Sequence, residues 1–130
     1  MEADAPDTKH PTPNTKYEEG VAHFNRGEFF EAHEVWEDWW NECPAADRRF
    51  AQALIQAAVA VYHFNRGNHA GATRLFHSGR RYMQPYRPAY MGLDVDEFWR
   101  RMEAHLAPAL DGGAGHPRPV IAPPSPAGPS

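Results

Sequence analysis

The sequence predicts an all-α fold: a compact five-helix bundle made of two repeat-like helix hairpins and a closing C-terminal helix. Three observations predict it. No segment sustains an alternation of apolar and polar residues, and no Asn-Gly or Asp-Gly pair joins strand-like runs. Apolar residues recur at spacings of three and four instead. And His23-Phe24-Asn25-Arg26-Gly27 returns 40 residues later as His63-Phe64-Asn65-Arg66-Gly67, each copy standing between two helical stretches.

Each element has its own signals. Thr15 and Glu18 form an S/T-x-x-E capping box that opens the first helix. Gly27 ends it as the residue just past the C-cap. The second helix runs from about Glu28 to Glu42, where Pro44 stops it, and carries the stripe Phe29, Ala32, Trp36, Trp39 and Trp40. Asp47 is placed to cap a third helix reaching about Arg66, and Gly67 closes that one. A fourth helix spans about Asn68 to Met83. The stretch Gln84–Leu93, with Pro85, Pro88 and Gly92, reads as loop, and Asp94 with Glu97 opens a last helix to about Leu106. The helix, Gly turn, helix pattern, with Ala32 and Ala72 at the same offset after each Gly, resembles a tetratricopeptide unit. Two units 40 residues apart do not make a free-standing solenoid, so the expectation is a bundle.

Composition bounds the rest. Hydrophobic residues are 42% of the 130, with four Trp, seven Phe and five Tyr, enough for one domain with one packed core. The formal charge of −4 argues against a nucleic-acid partner, which calls for a basic stripe. Lone Cys43 forms no internal disulfide and no CxxC is present, which fits a cytoplasmic location. Residues 1–12 have no apolar core region and do not read as a signal peptide. Phe50–Phe64 is too short, and too interrupted by Gln52, Gln56 and His63, to span a membrane. Residues 1–13 and the Pro/Gly/Ser-rich residues 111–130 are expected to be disordered, flanking a folded domain of 14–110.

Polar residues on otherwise apolar helices mark the candidate site. Phe30, His33, Glu34, Glu37 and Asn41 share a face of the second helix, and His33 and Glu37, four apart, can meet or share a ligand. On the third helix Gln52, Gln56 and His63 share a face amid apolar neighbours, where unpaired polar groups are costly. Three readings compete for His33, Glu34, Glu37, Gln56 and His63. One is a hydrogen-bond network that fixes helix register. Another is a metal site with His33, Glu37 and His63 as ligands for Zn, Mn or Fe(II), and Glu34 as general base for hydrolysis. The third is a polar-ligand or peptide pocket walled by Trp36, Trp40 and Tyr62. A helical interaction module that binds a peptide or protein in a groove is the non-catalytic alternative.

Outside this cluster, Arg26 and Arg66 are placed to bind carbonyls at helix ends. Arg74, Arg80, Arg81 and Arg87 concentrate positive charge near the fourth helix. Tyr82, Tyr86 and Tyr90 are expected to pack the loop against the bundle, with Trp99 and His105 at the edge of the core. No P-loop, GxGxxG or Ser/His/Asp order appears. A small molecule, a protein or a second copy of the chain all remain open as partners.

Gly27–Trp40, Gln52–Asn68, Gly71-Ala72 and Tyr86–Val95 together resemble the domain-of-unknown-function 309 family, over about residues 17–110. The resemblance implies a small helical bundle of a kind found chiefly in bacteria and archaea. Members of the family have been labelled predicted metal-dependent hydrolases. The motif positions it marks are Glu31, His33, Glu34, Glu37, Gln56, His63, Gly67 and Asn68, which adds Glu31 and Asn68 to Trp36 and Gln56 as candidate ligand-binding residues.

Overall fold

A computed structural model of the protein describes residues 14–111. The disorder expected for 1–13 and 112–130 lies outside the described residues. Five α-helices follow in order: α1 (Asn14–Asn25), α2 (Phe29–Glu42), α3 (Arg48–Asn65), α4 (His69–Met83) and α5 (Val95–Asp111). Short 3-10 turns, Ala45–Asp47 and Gln84–Tyr86, precede α3 and follow α4.

The repeated pentapeptide builds the same bend twice. Gly27 and Gly67 take φ of +82° and +83°, a region where a Cβ is strained. In the first copy the Gly27 N–H donates to Phe24 O at 3.0 Å and the Glu28 N–H to His23 O at 2.9 Å. In the second the Gly67 N–H donates to Phe64 O at 3.0 Å and the Asn68 N–H to His63 O at 2.8 Å. Both are Schellman motifs, which use up the last carbonyls of a helix and reverse the chain. The residue after each glycine then diverges. Asn68 caps α4 by accepting the Gly71 N–H at 2.9 Å, whereas Glu28 turns back to His23 Nδ1 at 2.7 Å. That contact with His23 holds the Glu28 carboxyl below its usual range.

Helix α3 is the middle of the molecule and touches α2, α4 and α5. Phe50, Ala51, Ala53, Leu54, Ala57, Ala58, Ala60 and Val61 bury its inner surface, as its nearly continuous apolar sequence leads one to expect. Helix α5 covers the hairpins: Phe24 packs on Phe98 (ring centroids 5.8 Å) and Phe64 on His105 (5.3 Å). The two repeat phenylalanines thus meet α5 at positions seven apart, on one face of that helix.

Several expectations need correction. Thr15 lies inside α1 rather than at its N-cap, because the helix already includes Asn14. Asp47 occupies the N-cap of α3 but makes no capping bond; its carboxylate accepts the Tyr90 hydroxyl instead. With the Tyr86 hydroxyl donating to Ala46 O at 2.7 Å, this ties the loop after α4 to the α2–α3 turn, as expected of those tyrosines. That loop also holds two strands, β1 (Ala89–Tyr90) and β2 (Leu93–Asp94), paired antiparallel with Ala89 opposite Asp94. Their turn is Met91-Gly92, with φ of 51° and 79°, so methionine takes a left-handed position where Asn or Asp is usual.

The α5 start is as expected, with the Glu97 N–H donating to Asp94 Oδ1 at 3.0 Å. Its end lies past Leu106, through Pro108 to Asp111, because the carbonyl that Pro108 leaves unbonded belongs to solvent-facing Ala104. Thr73 Oγ1 also donates to Ala109 O, at 3.3 Å, and holds that end on α4. Trp99 and His105 are each 5% exposed, inside the core rather than at its edge. The Arg26 side chain bonds Glu28 Oε1 at 3.2 Å instead of a helix-end carbonyl, and Arg66 stands over the Tyr62 ring. Among the described residues no helix is long and apolar enough to cross a membrane.

Candidate functional site

The candidate residues lie along the outer junction of α2 and α3. The inner stripe of α2, Phe29, Ala32, Trp36 and Trp39, is buried. The next row out, His33 and Trp40, is half-buried and faces the half-buried outer row of α3, which includes Gln52, Ile55, Val59 and Tyr62. The antiparallel run of the two helices sets Phe30 against Tyr62 at one end (ring centroids 5.7 Å). At the other end Glu37, Trp40, Asn41, Gln52 and Ile55 line a cleft of about 330 Å³.

His33 Nε2 and Glu37 Oε2 are 3.3 Å apart, the i,i+4 meeting expected of them. The wider convergence is not found. Among the described residues no three His, Cys, Asp or Glu side chains come together as a metal-holding group. His33, Glu37 and His63 therefore do not form a three-ligand centre here. The His63 ring sits beside Tyr62 (6.1 Å) in the last turn of α3. Gln56 is rooted on the α4 side: its Cβ lies 3.3 Å from where a Cβ on Gly79 would stand. Gln56 Oε1 and His33 Nδ1 are buried and have no hydrogen-bond partner among the described residues, so the expected network is not closed.

The remaining assignments separate. Trp36 is not a pocket wall. It is fully buried, and its indole N–H donates to Tyr17 O at 3.1 Å. Of the three expected wall residues, Trp40 alone lines the cleft, with Arg48 stacked over its ring at 4.1 Å. Asn68 serves as the α4 cap. Glu31 and Glu34 are exposed on the outer side of α2. They sit with exposed Glu37 and Asp38 on a helix that holds no Lys or Arg. The feature whose weight sequence reasoning missed is Phe30. At 46% exposure it is the large apolar side chain the described residues leave most open. Its place one step outside the Phe29, Ala32, Trp36 stripe was the available signal.

Comparison with known proteins bears on the same elements. Residues 17–75 match the family model described as "Domain of unknown function (DUF309)". This bears out the resemblance over α1 to the middle of α4; the Tyr86–Val95 part of it lies outside the match. A Bacillus subtilis (strain 168) protein named "Uncharacterized protein YpuF" is 41% identical over 70 residues, covering 53% of this chain. The chain spans 40% of that relative's length.

Proposed function

Taking residues 17–75 as a DUF309 region, we propose that the protein is a docking module whose α2–α3 groove receives a basic, amphipathic helix. One observation carries the reading: an apolar track open to solvent, with carboxylates along its α2 side and Arg48 and Arg66 over the rings at its two ends. Phe30 on Tyr62 forms one end and the Trp40–Ile55 cleft the other. From Phe30 to Asn41 the track is about 16 Å long at 1.5 Å per residue, three turns of a guest helix. Apolar anchors at i, i+3, i+4 and i+7 match such a groove. Exposed Glu31, Glu34, Glu37 and Asp38 favour Lys or Arg beside those anchors.

The test uses a synthetic amphipathic helix with a leucine stripe flanked by lysines, read by fluorescence anisotropy. Binding should weaken at least about tenfold in Phe30→Ala, the loss of one apolar anchor, and should fall as salt rises. Equal binding of a peptide with Glu in place of Lys would refute the reading, as would indifference to Phe30→Ala or no binding. A metal-dependent hydrolase is the second reading. It is favoured by the His33–Glu37 approach, with Glu34 as base and Zn, Mn or Fe(II) as the ion. It calls for a third protein ligand, which catalytic zinc sites normally have. A thermal shift on adding Zn, Mn or Fe(II) that His33→Ala abolishes would support it; its absence would defeat it.

A further inference from the structure

A second cleft, of about 310 Å³, lies between the end of α4, the loop after it and the first turns of α5. Arg80, Arg87 and Arg100 line it, with Asp96, Trp99 and Glu103. Asp96 is engaged: the Arg87 guanidinium grips it through Nε at 2.6 Å and Nη2 at 3.4 Å. This brace holds Arg87 against α5 and leaves its remaining N–H groups for another acceptor. Arg100 pairs with Glu97 of its own helix. Arg80 lies over the Phe76 ring at 5.7 Å, with no carboxylate partner among the described residues. Helix α5 adds the positive end of a 17-residue dipole. Trp99 is 5% exposed, and its indole N–H has no hydrogen-bond partner among the described residues. The N–H is closed to solvent, so it reports on the packing of the cleft wall and is not itself shown to reach the cleft.

The geometry points to this cleft as a binding site for a small phosphate monoester, its phosphoryl group held by Arg80, Arg87 and Arg100. Guanidinium forks match phosphate oxygens in pairs. Asp96 is paired with Arg87 and Glu97 with Arg100, so Arg80 and Glu103 are the lining charges without a pair among the described residues, and a phosphate would recruit the unused N–H groups of Arg87 and Arg100 beside Arg80. The volume exceeds a bare phosphate and falls at the low end of small-molecule sites, about 300 Å³ and up. The surplus space accommodates the ester's organic group, whose hydroxyl Glu103 is placed to accept. This site is separate from the α2–α3 groove and stands whether or not that groove docks a helix.

The test is a nitrogen-15 NMR titration of the full chain, following the Trp99 indole N–H, assigned by its disappearance in Trp99→Phe. Glycerol phosphate should move this signal saturably while the Trp36 indole stays in place, and inorganic phosphate should do the same more weakly. Arg80→Gln should weaken binding at least about tenfold, as for one charged hydrogen bond lost. Glu103→Gln should tighten it for inorganic phosphate by removing a like charge. Both variants change exposed side chains and leave the core intact. A response matched by sodium chloride at equal ionic strength or by citrate overturns the assignment. So does wild-type affinity in Arg80→Gln, a signal that does not move, or response to inorganic phosphate alone.

Discussion

Replacing Gly20 with alanine should be among the most damaging single-methyl additions to this protein. Gly20 lies in α1 against the edge of Trp36, and a Cβ there would stand 2.1 Å from Trp36 Nε1 and 2.5 Å from Cδ1. Trp36 cannot retreat cheaply. It is fully buried, packed on Phe24, and anchored by its hydrogen bond to Tyr17 O. Forcing the indole aside costs about 1–3 kcal/mol of overpacking, and losing the anchored N–H about 1–3 more. Better helix propensity returns about 1 kcal/mol. The net expectation is a loss of about 1–5 kcal/mol, read as a lower guanidinium midpoint at unchanged m. In a Trp36→Val background, where the clashing ring is gone, Gly20→Ala should cost well under half as much. Equal loss in both backgrounds, or a Gly20→Ala protein as stable as the wild type, would refute the reasoning.

Two further predictions concern the bends and the core. Gly67→Ala should cost about 1–2 kcal/mol, from backbone strain alone, since nothing lies within 4 Å of the added methyl; thermal melts of Gly27→Ala and Gly67→Ala should agree on the strain term. Burial pushes the Tyr17 phenol up from 10.0 to about 12. The folded state therefore holds this proton more tightly than the unfolded state, so its contribution is intact below pH 10 and is lost as pH rises toward 12. Melting temperature against pH should fall over that window and fall less in Tyr17→Phe; identical slopes would contradict it.

Most of the fold was legible because its signals are local. The glycines at 27 and 67 and the cap at Asp94 act through bonds spanning five residues or fewer, so sequence alone places them; the cap at Asn68, read from the sequence as a ligand-binding residue, is equally local and was missed. What was hidden depends on distant partners. Asp47 is sequestered by Tyr90, 43 positions away, which no helix-start rule anticipates. The turn of α5 past Leu106 is held on α4 by Thr73, 36 positions before Ala109, a partner that the local sequence does not announce. At the site the same division holds. His33 and Glu37 meet because helical geometry alone brings them together. The rotation of α3, which puts Gln56 toward Gly79, is set by packing against α4 and α5. Helical wheels show which residues share a face, and here they did not show which neighbour that face would meet.

The family match stops at residue 75, midway along α4. Similarity and autonomy part company there. Phe98, Trp99, Met102 and Leu106 of α5 all belong to the single buried cluster. A fragment cut at that point would present α3 with its lid removed, Phe24 without its Phe98 neighbour, and half a helix lacking its C-terminal turns. Helix α5 is therefore part of this chain's core although it lies past the residues that the family model matches.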